Sequence, residues 1–245
     1  MNLGYYVIST IAVLIALGIH EYCHAYAAYK LGDNTAKDLG RLTINPIKHI
    51  DPIGAICMLL FHFGWAKPVP INARNFKNPK KGFAITAFAG PLSNITLAFV
   101  SSLIYLIMWN MLKDKTFEYG SFALRFWENM LLFIYLFHSI NLGLGLFNLL
   151  PIPPFDGSRI LHVVLPPKAY FGIMKYEKKI YFGVILWLLF GDYIASILRM
   201  SPIVTSIPVL NWAVGIFSLS DMLGNAISFV SNMMFDFWNL FPVLR

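Results

Sequence analysis

Charge is the first thing this sequence lacks. Of its 245 residues only 13% are Asp, Glu, Lys or Arg, about half the share usual in a soluble domain. Between Phe83 and Trp109 there is no Asp, Glu, Lys, Arg or His, a run more than long enough to cross the hydrocarbon core of a bilayer. Cysteine is scarce as well. Cys23 and Cys57 are the only two, which excludes a disulfide framework. No basic segment precedes the first apolar run, so that run reads as a retained membrane helix rather than a cleaved signal. No internal repeat, low-complexity tract or appended soluble domain is visible. The formal charge of +7 is spread over short connections between apolar runs instead of a folded basic patch, which argues against nucleic acid as a partner.

What is present is apolar surface, 58% of residues, and it divides into spans. The first runs from about Tyr5 to Leu31 and stops at Gly32-Asp33-Asn34, a helix-ending sequence. The second is Phe83 to Trp109. A third covers about Phe126 to Leu150 and breaks at Pro151, Pro153 and Pro154. Ile180 to Leu198 makes a fourth, and Trp212 to Leu240 a candidate fifth. The expected fold is therefore an all-α polytopic membrane protein of about five transmembrane helices. The connection Lys30–Gly82 carries nine Lys/Arg against three acids, Asn110–Glu128 is balanced, and Gly157–Lys179 is basic again. That alternation places the N-terminus outside and the two basic connections in the cytoplasm.

Within the first connection, Arg41–Asn72 alternates short β-favouring pieces with Pro and Gly breaks. It reads as a small membrane-associated β-sheet or re-entrant hairpin between the first two helices, over about residues 40–73. The whole chain, residues 1–245, reads as one membrane domain with a catalytic core over about 4–166 and accessory C-terminal helices over about 178–241.

Chemistry is concentrated in His20-Glu21-Tyr22-Cys23-His24, an H-E-x-x-H sequence inside the first span. At i and i+4 the two imidazoles lie on one helical face, one turn apart, and can share a metal. Glu21 lies beside them, able to reach a water on that metal and take its proton. A lone histidine in a helix is usually a packing residue. Three ionisable side chains in a membrane helix are different, because a central charge costs on the order of 2–3 kcal/mol on insertion scales. His20 precedes the end of the span by eleven residues, roughly 16 Å at 1.5 Å per residue.

A catalytic zinc needs a third protein ligand and an open position. Asn148-Leu-Leu-Pro-Ile-Pro-Pro-Phe-Asp156-Gly157 is the candidate source. Its prolines leave backbone carbonyls unpaired, tolerated at depth only around a protein-lined or hydrated cavity. Asp156 would stand in that cavity as a ligand, or else cap a short helix over Ser158–Val164. Both roles are compatible.

These two motifs, in this order on two spans, resemble the site-2 protease family of intramembrane zinc metalloproteases, in a compact form without an appended PDZ or CBS domain. The resemblance extends to Gly40–Gly54, Gly64–Asn72 and Ala89-Gly-Pro-Leu-Ser-Asn94, and covers about residues 12 to 165. It implies one catalytic zinc ion held by His20, His24 and Asp156, with Glu21 as general base. The asparagine matching Asn148 is held in the family to steady the tetrahedral intermediate; a structural role tying broken backbone together is the alternative. Asn94 is expected to serve helix packing. The implied activity is hydrolysis of peptide bonds within or near transmembrane segments of membrane proteins. The expected partners are a transmembrane protein or peptide substrate and the lipid bilayer. The setting is a multi-pass prokaryotic plasma membrane, with the active site toward the cytoplasm. A zinc transporter would need further ligands along a path, and a non-catalytic scaffold of the same fold would typically lack Glu21 or a ligand.

Three secondary expectations complete the reading. An exposed edge in Arg41–Asn72, including Val69 and Ile71, would capture an unwound substrate by strand addition. Ser218, Asp221, Asn225, Ser228, Asn232 and Asp236 form a polar stripe on the last helix, expected to face a hydrated path or gate. His49, His62 and His162 would be solvated or interfacial, and His138 a hydrogen-bonded packing residue.

Overall fold

A computed structural model describes residues 3–54 and 66–241. Its frame is three long helices: α1 (Leu3–Lys30), α3 (Pro79–Leu112) and α4 (Phe122–Asn148), with a short α2 (Thr35–Asp38) after the first. These three pack on one another. Along α1 the residues Ala12, Ala16, His20, His24 and Ala28 recur every fourth position, and all are buried. Small residues let membrane helices approach closely, so the alanines bring α3 and α4 near, and the two histidines occupy the same packing face. The partner faces answer in kind. On α3 the buried residues include Ala87, Gly90, Asn94, Ala98 and Ser101, and on α4 they include His138, Asn141, Leu142 and Gly145. Side chains define the helix starts. Asn78 accepts from the Lys81 N–H ahead of Pro79, and Ser121 accepts from the Leu124 N–H, satisfying donors that a helix start leaves unpaired.

After α4 the chain turns through Pro151–Phe155 and re-enters as α5 (Asp156–Val164), which packs on α3. Then follow α6 (Pro167–Met174), α7 (Glu177–Arg199), α8 (Pro202–Ser206), α9 (Pro208–Phe217) and α10 (Leu219–Trp238). α7 leans mainly on α9 and α10. It is tied to α5 by the Arg159–Glu177 ion pair at 2.7 Å and to α10 by Arg199–Asp221. α10 crosses the α3–α4 pair. Ile227 lies against Gly143, Ser231 Oγ meets His138 Nε2 at 2.8 Å, and the Trp238 indole donates to Ser102 Oγ at 2.9 Å.

Among the described residues four helices, α1, α3, α4 and α7, are long and apolar enough to cross a membrane, which makes this a multi-pass integral membrane protein. The expected fifth span is broken: α9 and α10 together qualify, but they are bent by 90° at Ser218.

The expected β-sheet is not there among the described residues. Between Arg41 and Asn72 they hold one isolated antiparallel bridge, Ile50 with Ala66, and a short 3-10 turn at Pro46–His49; the Ala55–Leu60 piece lies outside the described residues. Pro46, Pro52, Pro68 and Pro70 have no N–H to give a ladder. Asn45 and Asn72 accept from the backbone two residues on and so start turns.

The polar stripe also departs from expectation. α10 does pack on the bundle, through Ile227, Val230 and Met234. Asn225, Ser228, Asn232 and Asp236 are exposed on its other side, Ser218 caps the helix, and Asp221 pairs with Arg199.

Candidate metal centre

His20 and His24 project from α1 toward α3, and each ring is held by its Nδ1. His24 Nδ1 lies 2.7 Å from the Thr86 carbonyl oxygen, an obligate acceptor, so it carries the ring proton. His20 Nδ1 faces Asn94 Oδ1. The amide of Asn94 is oriented in turn: its Nδ2 donates to Asn141 Oδ1 at 2.7 Å and toward the Ala16 carbonyl at 3.4 Å. With both ring protons committed at Nδ1, both Nε2 lone pairs are free.

Those lone pairs converge. The two Nε2 atoms are 3.0 Å apart, and each is 3.2 Å from Asp156 Oδ2. Three acceptors at such distances, with no proton between them, repel one another unless a cation is shared. A tetrahedral site with bonds of about 2.0–2.1 Å has ligand–ligand edges of about 3.3–3.4 Å, so the observed triangle is of the right size for zinc. α3 comes against the two imidazoles at Gly90. A Cβ there would stand 2.4 Å from His24 Nε2 and 2.7 Å from His20 Nε2. The absence of a side chain at Gly90 keeps the space beside the two lone pairs clear. The donor set, two imidazoles and a carboxylate, suits zinc. Second partners that orient ligating histidines are the usual accompaniment of such sites.

Asp156 reaches this point because of Gly157. A Cβ on Gly157 would fall 2.3 Å from the Leu149 carbonyl oxygen and 2.5 Å from that of Leu150. Only glycine lets the returning chain press so closely on the broken end of α4. Asp156 is the first residue of α5, whose N-cap is Phe155 with no side-chain cap bond. The carboxylate is turned to the histidines instead of capping its helix.

Glu21 is buried beside them, and its Oε2 accepts from the Val69 N–H at 3.1 Å. Asn148, the last residue of α4, faces the same cavity, with its Nδ2 bonded to the Leu144 carbonyl one turn back at 3.0 Å. The cavity holds about 710 Å3. One wall is Leu17, Phe83 and Phe147 of the three-helix frame; the other is Tyr181, Val184 and Leu188 of α7.

All five sequence candidates, His20, Glu21, His24, Asn148 and Asp156, thus line one cavity. Asn94, expected to serve packing, proves to hold a ring nitrogen of His20. The signal was available in Gly90-Pro-Leu-Ser-Asn94: an i, i+4 pair puts the clearing and the amide on one helical face. His49 is not solvated. It is 2% exposed, lies 3.4 Å from Arg41 Nη2 through Nδ1 and 2.8 Å from the Thr43 carbonyl through Nε2. His138 is a packing residue, bridging the Ala98 carbonyl at 2.8 Å and Ser231. His62 lies outside the described residues.

Residues 8–191 match peptidase family M50. The chain belongs to that family. YwhC of Bacillus subtilis, provisionally named a zinc metalloprotease, is 44% identical over 158 residues, covering 64% of this chain and 68% of that one. A Methanocaldococcus jannaschii protein, also provisionally named a zinc metalloprotease, is 35% identical over 157 residues, 64% of this chain and 70% of its own. A second protein of that organism, named a zinc metalloprotease, is 27% identical over 177 residues, 72% of this chain and 39% of its own. No solved structure matches the chain. Membership makes this M50 chain a metalloprotease. The cluster of His20, His24 and Asp156 is the only group of three or more metal-capable side chains among the described residues.

Proposed function

We propose that this M50 member is a zinc endopeptidase that hydrolyses peptide bonds within or near transmembrane segments of other membrane proteins. The observation that carries the reading is the triangle of His20 Nε2, His24 Nε2 and Asp156 Oδ2 inside a bundle of membrane helices. These three residues would hold the ion. When bound there, zinc supplies Lewis acidity, polarising a peptide carbonyl and making water a stronger acid.

The chain's own residues do the rest. Val69 occupies Glu21 Oε2, leaving Oε1 to take a proton from the attacking water and deliver it to the leaving nitrogen. Asn148 lines the cavity wall, and the second N–H of its Nδ2, beside the one bonded to the Leu144 carbonyl, would donate to the carbonyl oxygen as it gains charge. A substrate helix must unwind before its peptide bonds are accessible. The cavity between α7 and the three-helix frame accommodates the extended stretch, apolar on both walls and polar at its base. The bias of Lys and Arg toward the connections after α1 and after α5 supports an outside N-terminus and a site toward the cytoplasm. Bacterial and archaeal relatives support a prokaryotic plasma membrane.

The test uses the purified protein in detergent and in liposomes, with a labelled single-pass substrate panel, for wild type and Glu21→Gln. The expected result is about one zinc per chain in both and cleavage by wild type alone, the variant being slower by about 100- to 10,000-fold. Equal cleavage by the variant would refute the role of Glu21. Bound zinc without cleavage by wild type would refute the protease, and zinc uptake into liposomes would then identify a transporter.

A further inference from the structure

The segment that was expected to offer substrate a strand edge has most of its donors committed already. Between Lys67 and Asn72, Pro68 and Pro70 have no N–H. Of the four N–H groups that remain, Lys67 donates to the His49 carbonyl at 2.8 Å, Val69 to Glu21 Oε2 at 3.1 Å and Asn72 to Asp33 Oδ2 at 2.7 Å. The segment is a strap whose middle amide addresses Glu21, the proposed base.

Both ends of the strap are pinned by buried charged side chains that take no part in the metal cluster. Asp33, fully buried just beyond α1, accepts from the strap at Asn72 N and from Asn75 Nδ2 at 2.7 Å, and from Thr35 N and Oγ1 on the side of α2. Arg41, 8% exposed, donates from Nη2 to the Lys67 carbonyl at 2.7 Å and rests on His49. The Val69 side chain is buried with Ala25 and Ala36, and Pro70 beside it has a fixed φ. Val69 stands two residues from one anchor and three from the other.

We propose that Asp33 and Arg41 are positioning residues for Glu21, acting through the strap: they hold the Val69 N–H where it fixes the carboxylate for proton transfer. The inference rests on the protease reading. A glutamate has three side-chain torsions, and a misplacement of about 1 Å at a reacting group costs about 100-fold in rate. One amide held from both sides removes that freedom.

Asp33→Asn discriminates because of the donor count. Oδ1 faces two donors of Thr35 and one of Asn75, while Oδ2 faces the Asn72 N–H. An NH2 turned to the Oδ1 side would meet three donors and one turned to the Oδ2 side only the Asn72 N–H, so the less costly orientation is the one that pushes the strap end off. Arg41→Gln releases the opposite end without touching Asp33.

The experiment compares wild type, Asp33→Asn and Arg41→Gln for kcat and KM on a cleaved single-pass substrate, with zinc content and helical circular dichroism measured on the same samples. In wild type the cleavage must first be present; its absence refutes the protease reading itself. The expected result is kcat lowered by about 10- to 100-fold in each variant, with KM within about two-fold and zinc and helix content unchanged. Wild-type kcat in a folded, zinc-loaded variant overturns the proposal. Parallel loss of kcat, zinc and helix content in Arg41→Gln also overturns it, since that is the behaviour of a merely structural anchor. Should Asp33→Asn fail to fold, Arg41→Gln decides alone.

Discussion

Replacing Gly90 by alanine tests the metal site without removing any ligand. The added Cβ would lie 2.4 Å from His24 Nε2, 2.5 Å from His24 Cε1 and 2.7 Å from His20 Nε2, where ordinary contact begins at 3.4 Å. It is thus about 0.7–1.0 Å too close to both rings, at the nitrogens that carry their lone pairs. Neither ring can swing freely, since His24 Nδ1 is bonded to the Thr86 carbonyl and His20 Nδ1 faces Asn94. Relief comes from turning the rings off the shared point or spreading α1 from α3. Overpacking of this kind costs about 1–3 kcal/mol, and at about 1.4 kcal/mol per factor of ten zinc should bind about 5- to 150-fold more weakly. The assay is competition with a chromophoric chelator in detergent, with circular dichroism to establish that helix content is kept. Gly183→Ala is the control, because its Cβ would meet nothing within 4 Å. A Gly90→Ala protein that is folded and holds zinc as tightly as wild type would refute the geometry from which the site is argued.

Two other outcomes follow from named contacts. Asn94→Ala removes the oxygen facing His20 Nδ1 and leaves Asn141 Oδ1 without its amide donor; zinc affinity should fall about 10- to 100-fold, measured by the same competition, and wild-type affinity would refute an orienting role. Asp33 gives a pH dependence. Burial alone would raise its pKa, but the bonds from Thr35, Asn72 and Asn75 outweigh burial and hold the carboxyl below its ordinary value. A carboxylate depressed on folding stabilises at pH above its unfolded value of about 3.9, and that contribution disappears as pH falls through the folded pKa. The difference in thermal midpoint between wild type and Asp33→Asn should therefore be full at neutral pH and close as the medium is acidified below about pH 4; a gap that persists unchanged in strong acid would contradict this.

The Arg41–Asn72 connection shows where local reasoning stops. Its pieces have β-branched residues in alternation, which is a strand signal, yet its prolines remove ladder donors and two of its remaining amides, those of Val69 and Asn72, find buried carboxylates. Whether an N–H meets another strand or the side chain of Asp33 or Glu21 depends on what the fold brings beside it. That is a long-range fact: Glu21 and Val69 are 48 positions apart, and Asp33 and Asn72 are 39. The stripe on α10 is similar. Its spacing is visible in sequence, but the side it presents is decided by Ile227, Val230 and Met234 finding apolar partners on α3 and α4.

The sequence already carries the membrane-spanning character, because low charge and long apolar runs are additive properties of composition. It determined His20, Glu21 and His24 as one group, because residues four apart on a helix share a face whatever surrounds them, and it pointed to Asp156 through the proline-broken turn and the glycine behind it. It takes the packed fold to bring Asp156 Oδ2 to both Nε2 atoms at 3.2 Å, Asn94 to His20, Gly90 beside the two lone pairs and Val69 to Glu21. Each of these joins residues from different helices or from the strap. Their meeting is set by how closely α1, α3 and α4 can approach, which no local pattern encodes.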